Sequence, residues 1–439
     1  MHVLSTLLPV VGLLSQLSAA KYSLKDDYGS TDSFFDKFNF FTDTDPTNGY
    51  VSYVDRNTAS SGGLINASSS NGVYIGVDHS NTASKPGRQS VRLESTNTYT
   101  HGLVILDLAH MPGSVCGSWP AFWMLGSDWP KNGEIDIIEG VNDQSSNQMT
   151  LHTSSDCSIS NSGFTGTIST DDCYVDASGQ TVNAGCAIDN GNSESFGSGF
   201  NNAGGGVYAT EWTGSAINVW HFPSYSVPSD ISSGNPVPSN WGTPAARFAG
   251  SCDIDSHFNN LQIVFDITFC GDWAGESSVW SSGSCASKAD TCNSYVQNNP
   301  SAFEETYWRV NSLKVYQESS LLDVDVGIDI NVDIDIDGKS NSKSSKSDSK
   351  SDSKSDSKSN SKSDSKSDSK SDSKSSSKSD SKSDSKSDSK SSSKSDSKKS
   401  SSKQSTRDTA PYVRPGPRPS TKHRRDHYRR GHGHGHVHA

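Results

Sequence analysis

Between Lys339 and Lys403 the chain carries no aromatic and no aliphatic side chain, only Ser, Lys and Asp with Asn341 and Asn360. Such a segment has nothing to bury against the entropy of ordering its backbone, so folding has to be accomplished upstream of it. Its interleaved opposite charges predict a disordered spacer. The 439 residues then divide into five stretches. Residues 1–20 read as a signal peptide and residues 21–320 as the folded body. Residues 321–338 alternate Asp with Val or Ile and read as an acidic tether, or as a weak strand ordered only by a partner. Residues 339–403 are the spacer, and residues 404–439 form a basic, His-rich tail. Alternating histidines such as His432, His434 and His436 can ligate Zn or Cu, yet a solvated tail is the expected state.

Charge separates the same parts. Residues 21–320 hold 12 Lys and Arg against 32 Asp and Glu, a net charge of −20, whereas residues 321–439 are net +8. An acidic body repels phosphates, which excludes nucleic acid as its main partner. No apolar run of transmembrane length follows the first twenty residues, so no membrane span is expected. Leu4 to Leu17 is apolar, and Ser18-Ala19-Ala20 supplies small residues for cleavage after Ala20, as in exported proteins. Eight cysteines, all in the body and none in a CxxC pair, point to disulfides rather than zinc, with a connectivity that spacing does not reveal. Asn66-Ala67-Ser68 is the one N-glycosylation sequon of the body.

The body reads as many short strands. Gly62-Gly63 and Asn71-Gly72 mark turns, and Gly102 to Asp107 and Asn259 to Asp266 alternate or cluster apolar residues. Val207 to Trp212 and Ala216 to His221 predict a hairpin turning at Thr213-Gly214-Ser215, and Trp308 to Tyr316 the last strand. No long 3.6-residue period is present. An all-β body of this size suggests two sheets packed as a jelly-roll sandwich, one of them bent into a concave cleft suited to a polymer.

The segment Asn132-Gly133-Glu134-Ile135-Asp136-Ile137-Ile138-Glu139-Gly140 concentrates the chemistry. Its β-branched content says strand, with Glu134 and Asp136 on one face. Glu139, five residues from Glu134, falls on the opposite face unless a one-residue bulge at Ile137 or Ile138 restores it. An edge strand using acids against aggregation would explain the charge. It would not explain Trp119, Trp123 and Trp129 immediately upstream. Flat apolar faces for sugar rings beside paired carboxylates favour a polysaccharide cleft.

The run WPAFWMLGSDWPKNGEIDIIEG, followed by QMTLHT at Gln148 to Thr153, closely resembles glycoside hydrolase family 16 in its laminarinase-like branch, the fungal endo-β-1,3(4)-glucanases. Asp45-Pro46-Thr47 with Gly49-Tyr50-Val51, Ser90-Val91-Arg92, Tyr208 to Trp212 and Phe269 to Gly275 extend the match over the body, but not the tail. The resemblance implies a concanavalin A-like jelly roll. It implies Glu134 as nucleophile, Glu139 as acid/base, Asp136 as assisting carboxylate and His152 as a histidine on the acid/base side. It also implies Trp123, Trp129 and Trp273 as walls of the glucan cleft and Arg92 as a sugar-contacting arginine. Glu211 and Asp272, each beside a Trp, fit the cleft or an ordinary surface role equally.

A strand rises about 3.3 Å per residue, so Glu134 and a bulge-restored Glu139 stand roughly 13 Å apart at their α-carbons. Retaining glycosidases hold their carboxyl groups about 5–5.5 Å apart and inverting ones farther, so raw spacing favours neither, and the resemblance decides for retention. The expectation is a secreted, monomeric, retaining endo-β-glucanase acting on β-1,3- or mixed β-1,3/1,4-glucan, with no cofactor and no metal assigned; the resemblance leaves a structural calcium open, although nothing has the spacing of a calcium loop. A wall-remodelling transglycosylase, an inactive glucan-binding module and a wall component whose tail contacts anionic cell-wall material remain the alternatives.

Overall fold

A computed structural model describes residues 22–319. Lys21, Ser320, the signal peptide, the tether, the spacer and the His-rich tail lie outside the described residues. Two antiparallel sheets of eight strands face one another. The front sheet runs, edge to edge, through Thr167–Thr170, Cys186–Asp189, Gln148–His152, Glu134–Glu139, Ser118–Leu125, Leu261–Phe269, Arg92–Tyr99 and Phe38–Phe40. The back sheet runs through Ala246–Phe248, Ile217–Pro223, Gly206–Trp212, Gly102–His110, Tyr307–Glu318, Gly72–Gly76 and Ile65–Ser68, with Tyr22–Asp27 also paired to Tyr307–Glu318. This is the antiparallel sandwich of the jelly-roll kind that the strand cadence predicts.

Alternation sorts each strand's side chains. Phe122, Met124, Ile135, Met149, Leu151, Phe265 and Ile267 of the front sheet enter the core shared with Leu106, Leu108, Tyr208, Val219, Leu313 and Val315 of the back sheet. At roughly 1.5–3 kcal/mol for each large side chain fully buried, this layer is the main favourable term of folding. The Gly102–His110 strand is apolar on both faces because its outward residues, Leu103 and Ile105, join Val207, Trp220, Trp241 and Tyr316 in a second apolar layer.

The predicted hairpin is present: Gly206–Trp212 pairs with Ile217–Pro223, and Thr213 N–H donates to the Ala216 carbonyl at 3.0 Å. Asn71-Gly72 turns the Ile65–Ser68 strand into Gly72–Gly76, with Gly72 at φ 68°. A Cβ there would meet the Val310 carbonyl oxygen at 2.3 Å, so this turn admits no other residue. Helices are short, none exceeding the seven residues of Cys292–Asn298 among those described, and none is long and apolar enough to cross a membrane. All eight cysteines pair, as 116–285, 157–252, 173–186 and 270–292, which resolves the connectivity left open by spacing.

Candidate active site

Register lays the site out as rows across the front sheet's outward face. Gln148, Glu139, Ala121, Asp266 and Arg92 form one row, and Thr150, Asp136, Trp123, Val264 and Glu94 the next. His152, Glu134, Leu125 and Gln262 form a third. The one-residue bulge that would restore Glu139 to the face of Glu134 is there. Against the Ser118–Leu125 strand, Asp136 pairs with Trp123 but Ile138 pairs with Phe122, which makes Ile137 the extra residue. Ile135, Ile137 and Ile138 are all fully buried, so the apolar run keeps the bulge in place by holding Ile137 and its neighbour Ile138 together in the core. Glu139 thereby returns to the face of Glu134 and Asp136.

Each acid has a distinct setting. The Trp119 indole Nε1 donates to Glu139 Oε1 at 2.8 Å. His152 Nε2 stands 3.3 Å from Asp136 Oδ2 and 3.8 Å from Glu134 Oε1. Asp136 is 2% exposed. Behind His152, Gly185 has φ 61°, and a Cβ there would press on the imidazole Nδ1 at 2.9 Å. Burial pushes the Glu134 carboxyl up to about 8, with the charge of Asp136 as the second cause. Burial and then Asp136 raise Glu139 to about 8 as well. Asp136 is itself driven well above the carboxylate range by burial and by Asp266. Three such groups crowded in one place titrate as a unit and share protons, so one glutamate can hold the proton a general acid needs while the other is ionised. The values do not distinguish one glutamate from the other.

The remaining predicted residues divide. Trp123 lies in the Asp136 row and donates its Nε1 to Asp266 Oδ1 at 3.3 Å. Trp129 is half-buried beside Glu134, favouring its charged form. Trp273 meets Trp119 edge-on, ring centroids 5.6 Å apart, in the Gly271–Ala274 helix. Cys270 (φ 61°) and Gly271 (φ 62°) turn the chain into that helix; the strained Cys270 is secured by its bridge to Cys292 and by its N–H donating to Gly117 O at 2.9 Å.

Two expectations need correction. His152 sits at the Glu134–Asp136 end, not at Glu139, because cross-strand register pairs it with Glu134. Arg92 is 4% exposed and presents no open guanidinium to a sugar. It is sandwiched between the rings of Phe41 and Trp123, at 4.6 and 5.0 Å, and ion-paired to Glu94 at 2.9 Å. Glu211 bonds to Tyr22 and Asn218 on the back sheet, and Asp272 accepts from Asn48, so neither takes a place among the three rows.

Sequence reasoning passed over Asp266, a fourth buried carboxylate that accepts from Tyr53 Oη at 2.9 Å. Burial raises it to about 6 while Arg92 pulls the other way. Only the small Ala121 separates it from Glu139 in the row. Its signal was a lone Asp in the apolar Leu261–Phe269 strand. Trp119 was read as part of the aromatic flank without its bond to Glu139. Ligating atoms of Glu134, Asp136 and His152 come within 4.8 Å of one another, a set that suits a cation as well as proton chemistry.

Paired buried glutamates with tryptophans around them are the equipment of a glycoside hydrolase. The chain belongs to glycoside hydrolase family 16: the family model described as "XgeA-like, catalytic GH16 domain" matches residues 38–316. An endo-1,3(4)-beta-glucanase of Arthroderma benhamiae is 49% identical over 320 residues, covering 72% of this chain and 69% of its own. Several other curated relatives are longer, and the chain spans 44% of one from Neosartorya fischeri. Among solved structures, an elongating family 16 beta-1,3-glucosyltransferase is 49% identical, with TM-score 0.61, 67% of this chain and 100% of that one covered. Laminarinase 16A from Phanerochaete chrysosporium, crystallised with beta-glucans in donor and acceptor sites, is 44% identical, with TM-score 0.64, covering 68% and 100%.

Proposed function

We propose that the body is a retaining endo-β-glucanase that hydrolyses β-1,3- or mixed β-1,3/1,4-glucan. The observation that carries the reading is the bulge at Ile137, which puts Glu139 on the face of Glu134 and Asp136, with Trp119 bonded to Glu139, Trp123 in the Asp136 row and Trp273 against Trp119. Glu134, ionised, attacks the anomeric carbon as the glycosidic C–O bond breaks, and Glu139 passes its proton to the departing oxygen. Glu139, now a carboxylate, takes a proton from water, whose oxygen displaces Glu134 and frees the sugar. His152, 3.8 Å from Glu134 and 3.3 Å from Asp136, favours the ionised form of Glu134, whereas the neighbouring charge of Asp136 opposes it. The indole N–H of Trp119 steadies the carboxylate form of Glu139 between the two steps. Trp123, Trp129 and Trp273 offer the sugar rings flat apolar faces. Arg92 acts from beneath, fixing Trp123.

Incubation with laminarin, lichenan and cellulose tests the activity: new reducing ends on the first two are expected, and none on any of them would overturn it. Proton NMR of the first product is expected to show the β-anomer; an initial α-anomer means inversion and removes Glu134 as nucleophile. The likeness to an elongating glucosyltransferase supports a second reading, transfer to a sugar acceptor. Redistribution of chain lengths at a constant number of reducing ends would favour it. Export is part of the proposal, supported by the apolar start of the chain and by the pairing of every cysteine. An amino terminus at Lys21 in the mature protein would bear it out.

A further inference from the structure

The bulge opens a gap in the ladder between the Glu134–Glu139 and Gln148–His152 strands. Glu134, Ile135 and Asp136 pair with His152, Leu151 and Thr150, and regular pairing would next set Ile138 against Gln148. Glu139 stands there instead. The Asn147 side chain bridges the irregular stretch: its Nδ2 donates to the Ile137 carbonyl at 2.8 Å, and its Oδ1 accepts the Glu139 backbone N–H at 2.9 Å. One carboxamide thus does the work of a missing peptide unit, binding the extra residue and the acid it displaces.

Asn147 is held as firmly as it holds. It is fully buried. Its own N–H donates to Ser195 Oγ and its carbonyl accepts from Asn190 N–H, both at 2.9 Å. Ser195 is fully buried too, and its carbonyl accepts the Tyr208 hydroxyl of the back sheet. A chain of bonds therefore runs from the back sheet to the peptide of Glu139 and to no other acid of the site.

We infer that Asn147 is a positioning residue that sets the placement of Glu139 for proton transfer, acting through the bulge and touching no substrate. The inference rests on the reading of Glu139 as acid/base. Losing the clamp should impair protonation of a poor leaving group, a step that an activated aryl leaving group does not need.

The test compares Asn147→Ala and Asn147→Asp with the unaltered full chain, on laminarin and on 2,4-dinitrophenyl β-laminaribioside with added azide. For Asn147→Ala we expect kcat on laminarin to fall about a hundredfold with KM within about threefold. Release of dinitrophenol in azide should stay within about tenfold of the unaltered enzyme. Asn147→Asp keeps the shape. When neutral, its carboxyl can donate to Ile137 and accept from Glu139; when ionised, it can only accept. Its laminarin activity relative to the unaltered enzyme should therefore rise as pH falls. Equal losses on both substrates, or a pH-independent ratio for Asn147→Asp, would overturn the inference and leave Asn147 a structural residue. If Asn147→Ala does not fold, the pH ratio of Asn147→Asp decides alone. An unaltered enzyme inactive on laminarin would instead overturn the function itself.

Discussion

Glu134 and Glu139 have carboxyls raised alike and opposite assignments, so substitution has to separate them. Glu134→Ala is expected to lower kcat on laminarin by at least about a thousandfold, with folding and glucan binding kept, as measured by kinetics, circular dichroism and calorimetry. Glu139→Ala should retain activity on the activated aryl substrate, and azide should yield a β-glycosyl azide detectable by mass spectrometry. The raised carboxyls also make a statement about stability. Folding strengthens proton binding at Glu134 and Glu139, so stability is full below the ordinary carboxyl range and falls as pH rises from about 4.5 toward 8. Glu134→Gln should therefore be more stable than the parent at pH 8, by on the order of 2 kcal/mol, with the gap closing near pH 4; melting temperatures across that range would show it. Much of this site was legible in the sequence. The spacing of the acids left a bulge at Ile137 or Ile138 as the way for all three to share a face, and branched residues there supply its apolar side. Asn147 and Asp266 were not legible, because each acts through a register that no local pattern encodes. The side of the site that His152 serves, and the burial of Arg92, depend on the same long-range pairing.

Strands and turns carry a second set of consequences. The Gly102–His110 and Leu261–Phe269 strands and the hairpin at Thr213 were readable from apolar cadence and turn residues. The disulfide pairs were not, since they join distant elements. The Cys270–Cys292 bridge closes 22 residues and ties the strained entry of the Trp273 helix to Cys292–Asn298. Changing both cysteines to serine should remove about 3 kcal/mol of chain-entropy stabilisation, lowering the melting temperature by about 5 °C in calorimetry. It should also raise KM for laminarin more than it lowers kcat, because Trp273 stands on the wall and not at the scissile bond.

On the scale of the whole molecule, the last described strand ends at Glu318 and the family match at residue 316, while the paired acids lie far upstream. A chain ending at Ser320 should hydrolyse soluble glucan within about tenfold of the full chain, roughly 1.4 kcal/mol of barrier; a larger loss would bring the tail into the site. Adhesion of the full chain to anionic wall material, which the Arg and His residues after Lys403 motivate, should weaken as salt rises. Binding that ignores salt, or survives removal of those residues, would remove that role. The Tyr307–Glu318 strand has a further consequence, one of timing. It lies inside the back sheet and pairs with Tyr22–Asp27, Gly72–Gly76 and Gly102–His110, three segments made far earlier in synthesis. Until it emerges, those strands wait with exposed edges and an unsealed core, and the contacts that join them span almost the full length of the body. Such topology folds slowly. A ribosome that stalls before residue 307 therefore leaves an open half-sheet rather than a smaller enzyme, and the nascent chain's need for chaperone cover lasts until its final strand is made.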